Sequence, residues 1–391
     1  MDATDRRRNL LVAGAAGAAV AAAGYDLKIW IEGYLADNFH NDVTFYVAGA
    51  RVGLSHGWPM LYDLNLQQQQ LAAIGSAIHV AQLARYVSPP PLAWLLVPFT
   101  PLPFRLVYWL WCLLLLMALG LTWKLAAPGQ GRVRLIHLAA AIGWLPVIYG
   151  LTLGQPVLFV AAGVAGCYAL LLRDRQLAAG TAIAVLVLKP QVAFLVPPAL
   201  LVTGRWRAFS AAAVVLAVLA ILSALALGAD GVAVYEQRLS FASTVAQNQS
   251  QTLASLISNL QATRIAQVLV ALWTLGLTYH LRRRGVGLTL AVALVGGLAA
   301  TPYVHFGDLT MLGLAGWLYL RSSKQRWGWA FVLALAIAAE GFPIWGAGPI
   351  LIGELGALAL LTLFPPPADA YYFDSNAVPA PVSLRGAPRL P

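Results

Sequence analysis

Long apolar runs separated by short polar stretches dominate the chain from residue 9 to residue 364. A membrane-spanning helix needs about 20 mainly apolar residues, and the pattern predicts about twelve such segments. They are 9–30, 103–126, 135–150, 156–172, 177–190, 191–203, 207–228, 262–281, 286–303, 308–320, 327–345 and 347–364. Two polar stretches, 31–102 and 229–261, are much longer than the others. We therefore expect an all-α polytopic membrane domain over 9–364, with a long first external loop and a second one.

The apolar stretch near 88–100 is the exception in this pattern. It begins with three consecutive prolines, Pro89 to Pro91, and is too short to cross a bilayer. Backbone at membrane depth is tolerated where protein covers it. We interpret the stretch as an interfacial or re-entrant helix within the first external loop.

Basic residues orient the segments. If residues 1–8 lie in the cytoplasm and the 88–100 stretch does not cross, 18 of the 25 Lys and Arg residues fall on the cytoplasmic side. Cytoplasmic loops of membrane proteins collect Lys and Arg. The net charge of +10 then needs no nucleic-acid partner. The pattern predicts a bacterial inner-membrane protein with both termini in the cytoplasm.

The two ends of the chain carry separate predictions. Arg6 to Arg8 followed by an Ala/Gly-rich run is also typical of a signal peptide. The apolar run continues to Ile31, however, which favours a retained first helix. The stretch 365–391 is rich in proline and weakly patterned, and we expect a disordered cytoplasmic tail.

Composition limits the chemistry. Hydrophobic residues make up 60% of the chain and charged residues 10%, well outside the range of soluble domains. The sequence contains no P-loop, dinucleotide fingerprint, nucleophile elbow or zinc motif. Chemistry on a soluble nucleotide sugar is therefore unsupported, which favours a lipid-borne substrate.

Polar residues that could do chemistry gather on the outer side of the predicted spans. Asp42 follows the first span and precedes an amphipathic stretch, so its carboxylate could lie near apolar surface and act as a general base. An equally good interpretation is that Asp42 caps a helix. Asp37 and Asp63 read as caps or turn residues.

Three outer-side cations are candidates for binding a phosphate. Lys189 lies between two apolar runs with almost no loop, and a lysine is a good point charge for phosphate. It could instead extend to the membrane surface. Arg85 precedes the proline-rich stretch, and Arg264 begins a later span.

Other outer-side groups suit hydrogen bonding. His305 and Asp308 are one helical turn apart and could orient a group or transfer a proton, although Asp308 could also cap the following helix. Two such residues without a third are weak support for a metal, and we expect none. Gln155 and the 247–252 run offer amides and hydroxyls for sugar hydroxyls, or are ordinary loop residues.

The order of these motifs resembles the GT-C superfamily of membrane glycosyltransferases, and more narrowly glycosyltransferase family 87, the polyprenol-phosphate-mannose-dependent mannosyltransferase-like group. The matching stretches run over most of 37–320. They are Asp42, Tyr46 and Gly49 with Leu61 to Asp63, then YVSPPPL at 86–92, Gly154 and Gln155, LKPQ at 188–191, NQS at 248–250, and Thr301 to Tyr303 with His305 and Asp308. Pro90 and Pro91 extend the usual Tyr-x-x-Pro-Pro segment, which is a departure from the family pattern.

The resemblance implies a GT-C-type fold and a metal-independent, inverting transfer from a polyprenyl-phosphate sugar to a lipid or glycan acceptor on the periplasmic face. Asp42 would deprotonate the acceptor hydroxyl. The donor phosphate would be bound by Lys189, Arg85, His305 and Arg264. Sugar and acceptor would contact Tyr46, Tyr86, Gln155, Gln191, Asn248, Gln249, Ser250 and Asp308.

A second function stays open at this point. A transporter or flippase of lipid-linked sugars would use ionisable groups at mid-membrane, and Glu340 and Glu354 lie within the last predicted spans. The sequence does not distinguish the sugar, the acceptor or the linkage.

Overall fold

The computed structural model describes residues 3–81, 84–323 and 325–367. All regular elements of these residues are helical. The predicted tail at 365–391 lies almost wholly outside the described residues, as do Lys324, Arg385 and Arg389.

Eighteen α-helices follow one another along the described chain. The first half contains α1 (Ala3–Ala36), α2 (Asp42–His56), α3 (Leu64–Ala73), α4 (Pro90–Leu96), α5 (Phe104–Ala126), α6 (Gly131–Ile142), α7 (Leu145–Leu153), α8 (Val157–Leu171) and α9 (Gln176–Ala182). The second half contains α10 (Val196–Val202), α11 (Trp206–Ala242), α12 (Ala246–Gln249), α13 (Leu260–His280), α14 (Val286–Ala300), α15 (Thr310–Ser322), α16 (Arg326–Glu340), α17 (Phe342–Trp345) and α18 (Gly348–Leu363).

Long apolar helices indicate a multi-pass membrane protein. Within the described residues, four helices are long and apolar enough to cross a bilayer, and a fifth span is reached if α6 and α7, bent by 57°, count as one. The four are Asn9–Ala36, Phe104–Ala126, Trp206–Ala242 and Leu260–His280. The all-helical prediction is confirmed, whereas twelve spans are not.

The difference in span number has a physical cause. Most of the other predicted spans are helices of 10–17 residues, such as Val157–Leu171 and Val286–Ala300. At 1.5 Å per residue a helix of 15 residues reaches roughly 22 Å, less than the ~30 Å hydrocarbon core. Hydropathy alone cannot separate such helices from complete spans.

Helix α14 forms the centre of the bundle. Every residue from Gly287 to Ala300 is buried, and the helix packs against α13, α15 and α18. A helix that is apolar all round is expected in such a position. Its ends therefore meet protein, which explains how a short helix can lie at depth.

The stretch 31–102, which was predicted to be the first external loop, folds mainly into short helices. Helix α2 packs against α3, α4 and α5. Tyr86 is buried and stabilises the proline-rich segment through two hydrogen bonds. Its hydroxyl donates to Pro89 O at 2.7 Å and accepts from Ala93 N at 3.0 Å. The apolar helix that follows, Pro90–Phe99, is one of the shorter ones.

The first part of the stretch 229–261, which was predicted to be the second external loop, continues α11 past a kink. Gly228 has φ 66° and ψ 178° inside α11, where glycine alone avoids a steric penalty. Beyond the kink, Tyr235 stacks on Tyr62 with ring centroids 4.6 Å apart. This stack joins the stretches 31–102 and 229–261.

Candidate active site

Asp42 is the first residue of α2. The cap of this helix is Asn41, whose side chain accepts from Thr44 N at 3.3 Å. The alternative that Asp42 is the cap is therefore wrong, and its carboxylate is available for other contacts. Asp37 and Asp63, by contrast, hydrogen-bond to nearby backbone. The Asp37 carboxylate accepts from Phe39 N, and the Asp63 carboxylate accepts from Leu66 N.

Gln155 reaches the site because α7 ends abruptly before it. Gly154 adopts the left-handed conformation with φ 71°, and its carbonyl accepts the indole N–H of Trp111 at 2.7 Å. The Gln155 side chain is 1% exposed. It donates from Nε2 to Asp42 Oδ2 at 3.1 Å.

Lys189 is held where two short 3₁₀ helices, Ile183–Leu188 and Pro190–Val192, meet. Its ammonium donates to Gln155 Oε1 at 3.0 Å and forms an ion pair with Asp308 Oδ1 at 2.5 Å. Lys189 is 8% exposed and Asp308 0%. Lys189 thus points into the protein rather than to the membrane surface.

His305 and Asp308 belong to one tight turn. The carboxylate of Asp308 accepts from His305 N at 2.9 Å, at the start of the 3₁₀ helix Phe306–Leu309. The turn lies directly on α7: a Cβ at Gly307 would come within 2.8 Å of Gln155 Oε1 and 3.0 Å of Gly150 Cα. Only glycine permits this approach without displacing Gln155.

Asn248 and Tyr303 complete the cluster around the imidazole. His305 Nε2 lies 3.0 Å from Asn248 Oδ1 and 2.9 Å from Tyr303 Oη. Asn248 is 2% exposed and also donates to Ala242 O at 2.7 Å. We name Asp42, Gln155, Lys189, Asn248, Tyr303, His305 and Asp308 the Asp42 cluster.

Burial shifts the pKa values of both Asp42 and His305. Burial raises the pKa of Asp42 above its ordinary value, although the Lys189 charge and the Gln155 hydrogen bond oppose the shift. Burial also lowers the pKa of His305 to about 4, and the Lys189 charge adds to this effect. A carboxylate of raised basicity beside a neutral imidazole suits proton abstraction near pH 7.

Gly154 offers a packing test of the site. A Cβ there would lie 2.2 Å from Val43 Cγ2, and Val43 follows Asp42. Gly154→Ala should lower the free energy of unfolding by about 1–3 kcal/mol through overpacking, in addition to left-handed strain. Gly204→Ala is the matched control, because Gly204 has φ +79° and no atom within 4 Å of its Cβ position. Equal losses in thermal unfolding would contradict the packing argument.

The structure places the remaining predicted residues at varying distances from the cluster. Tyr46 is buried, with its ring 6.3 Å from that of Tyr86, and lies close enough to Asp42 to lower the pKa of that carboxyl slightly. Gln191 is partly buried. Ser250 and Gln249 donate to the backbone carbonyls of Gln247 and Ser243.

Two of the cations that were predicted to bind the donor phosphate lie apart from the Asp42 cluster. Arg85 donates to Ala81 O at 3.0 Å, and its guanidinium lies 4.6 Å from the Phe241 ring centroid. Burial lowers the pKa of Arg85, and the neighbouring Arg238 adds to the effect. Arg264 is exposed on α13. Neither arginine has a described contact with Asp42.

Tyr303 lies in one of the matching motifs but was given no role from the sequence, and neither was Arg238. Tyr303 precedes His305 by two positions, and that proximity was the available signal. Arg238 is three residues before Phe241 on α11, so both can face Arg85. The buried Nε of Arg238 has no hydrogen-bond partner among the described residues.

Within the described residues, no group of three or more His, Cys, Asp or Glu side chains is arranged to hold a metal ion. The arrangement instead combines a carboxylate base, a buried cation and several neutral hydrogen-bond donors. Such a set can abstract a proton and stabilise an anion.

Comparison with known proteins agrees with the motif resemblance. No curated protein and no solved structure matches the chain. The family model described as glycosyltransferase family 87 matches residues 86–337, more than half of the 391 residues. Gln155, Lys189, Asn248 and His305 lie inside the matched stretch, whereas Asp42 precedes it. The chain therefore belongs to glycosyltransferase family 87, and this membership implies that it is a sugar transferase.

Proposed function

We propose that the protein transfers a sugar, mannose in the first instance, from a polyprenyl-phosphate donor to an acceptor hydroxyl on the periplasmic face of a bacterial inner membrane. The observation that carries this proposal is the contact of the Asp42 carboxylate with the Gln155 amide, beside the buried Lys189. It provides a base and a cation in one site of a family 87 protein.

In the proposed step Asp42 accepts the proton of the acceptor hydroxyl. The acceptor oxygen bonds to C1 of the sugar from the face opposite the phosphate. The bond between C1 and the phosphate oxygen breaks, and its electron pair leaves on the polyprenyl phosphate. A single displacement of this kind inverts the configuration at C1. The leaving phosphate already carries charge, so no acid catalyst is required.

Several groups would stabilise the leaving phosphate. Lys189 is the cation nearest Asp42 by described contacts, and its charge is shared with Asp308. His305, whose pKa is lowered to about 4, would be neutral near pH 7 and would act through its neighbours Asn248 and Tyr303 rather than as a cation. Arg85 and Arg264 would contribute from outside the Asp42 cluster. Tyr46, Tyr86, Gln191, Asn248, Gln249 and Ser250 would surround the sugar and the acceptor.

Orientation supports the periplasmic assignment. Residues of the Asp42 cluster come from the ends of helices that the distribution of 18 among 25 basic residues places outside. This topology keeps the GT-C-type arrangement of about twelve membrane segments, of which several would be short helices covered by protein.

The choice of donor tests the proposal directly. Full-length protein in nanodiscs should form product from polyprenyl-phosphate mannose, whereas nucleotide-linked mannose and polyprenyl-phosphate glucose should give at most about one per cent of that rate. Chromatography of the labelled product and its anomeric NMR signal measure rate and inversion. Equal transfer from the nucleotide sugar, or retention at C1, would contradict the proposal.

A transporter of lipid-linked sugars is the second candidate, and Glu354 favours it, because this carboxyl of α18 is 2% exposed. The other carboxyl that suggested transport has a structural contact: Glu340 Oε2 accepts from Leu145 N at 2.8 Å, at the first residue of α7. Flux across liposomes that survives Asp42→Asn but not Glu354→Gln would support the transporter.

A further inference from the structure

Gln155 makes three side-chain contacts at the centre of the Asp42 cluster. Its Oε1 lies 3.0 Å from Lys189 Nζ. Its Nε2 lies 3.1 Å from Asp42 Oδ2 and 3.2 Å from His305 Nδ1. One amide thereby connects the proposed base, the buried cation and the imidazole.

The donor and acceptor chemistry of these partners determines the orientation of the Gln155 amide. An ammonium can only donate, so the oxygen of Gln155 must face Lys189. The two N–H bonds then point at Asp42 and His305, and both partners must accept. A carboxylate accepts readily. His305 Nδ1 can accept only if it carries no proton.

The proton of the neutral imidazole must then reside on Nε2. That nitrogen faces Asn248 Oδ1 at 3.0 Å and Tyr303 Oη at 2.9 Å, and both oxygens can accept its hydrogen. An imidazolium would place a second N–H against the Gln155 amide hydrogens. The lowered pKa of His305 agrees with this exclusion.

We infer that Gln155 is a positioning residue that orients the Asp42 carboxylate and holds His305 as the neutral Nε2–H tautomer. The inference rests on the proposed function for the role of Asp42 as the base. It assigns Gln155 a task different from the sugar binding that the family resemblance implies.

Hydrogen-bond capacity supports this assignment. An amide side chain has two N–H donors and one carbonyl oxygen, and Gln155 directs both donors at protein groups. With 1% of the residue exposed, the amide has no surface to offer a sugar hydroxyl.

The amide also separates the base from a cation. A direct Lys–Asp contact would favour the charged carboxylate and weaken it as a base. Here Lys189 is ion-paired with Asp308 at 2.5 Å, while Asp42 receives a neutral donor. This arrangement preserves the basicity of Asp42 and still fixes the direction of one of its oxygens.

Gln155→Glu tests the inference through the pH profile of the reconstituted enzyme. A glutamate can accept from Lys189 but cannot donate to Asp42, and its charge raises the basicity of Asp42 further. We expect kcat at neutral pH to fall by at least about tenfold and the acid limb of kcat to move up by about one pH unit. The KM values should change by less than about threefold. Gln69→Glu is the control, because Gln69 is exposed on α3 and has no part in the proposed site.

A rise in KM with an unmoved pH profile would indicate sugar binding and overturn the inference. Gln155→Met, which removes both donors without adding charge, should lower kcat and leave KM similar. Normal kcat in this variant would equally overturn it.

Nitrogen-15 NMR of histidine-labelled protein tests the tautomer without any activity. His305→Gln identifies its signal among the six histidines. We expect a neutral Nε2–H signal down to about pH 5. An Nδ1–H or imidazolium signal at neutral pH would overturn the inference, whereas failure of every lipid donor with the expected NMR signal would refute the proposed function alone.

Discussion

Replacing Asp42 with asparagine should lower sugar transfer by roughly a hundredfold to ten-thousandfold, the range that general base catalysis contributes. Asparagine has the shape of aspartate and can still accept from Gln155 Nε2, so the neighbouring contacts should persist. It cannot take up the acceptor proton. The loss should therefore appear in kcat, with the binding of the lipid donor nearly unchanged.

The measurement is turnover of polyprenyl-phosphate mannose in nanodiscs, with thermal unfolding as a check on folding. Asp230→Asn is a matched control, because Asp230 is exposed on α11 beyond the kink. Transfer by Asp42→Asn above about one tenth of the wild-type rate would remove Asp42 as the base.

Asp308→Ala should destabilise the protein more than any exposed substitution. Asp308 is fully buried and its partner Lys189 nearly so, and the loss of one partner leaves a buried charge uncompensated. Such changes lower the free energy of unfolding by about 3–5 kcal/mol. Because Asp308 also accepts from His305 N, the turn that presents the imidazole should loosen as well.

Two variants make this prediction specific. Glu32→Gln breaks the exposed Lys28–Glu32 pair, 3.7 Å apart with side chains 67% and 58% exposed, and should leave the unfolding midpoint unchanged. The double variant Lys189→Met, Asp308→Leu removes both charges and should recover most of the stability but not the transfer. A single Asp308→Ala variant as stable as wild type would show that Lys189 is solvated by other means.

The helical class and the positions of most helices were predictable, because the 3.6-residue period and runs of apolar residues are local properties of the chain. Gly228 marks both the end of the predicted 207–228 segment and the kink of α11. The number of spans was not predictable in this way. Whether a helix of 15 residues such as α14 is covered by protein depends on its neighbours, which hydropathy does not report.

The candidate site was likewise predictable only in part from the sequence. Motif order alone identified family 87, and the residue types indicated an anion-handling site on the outer side. The partners of those residues were not predictable: Asp42 and Gln155 are 113 positions apart, and Gln155 and His305 are 150 apart. No local pattern encodes contacts at such separations.

By itself, then, the sequence determined the membrane class, the direction of the charge asymmetry and the family, since each depends on composition or on short motifs in order. Only the tertiary structure decided that Asn41 rather than Asp42 caps α2, that Lys189 is paired with Asp308, and that Gln155 lies between Asp42 and Lys189. The physical reason is that a side chain's charge state and hydrogen-bonding role depend on the groups within about 4 Å of it, and folding brings those groups from distant parts of the chain.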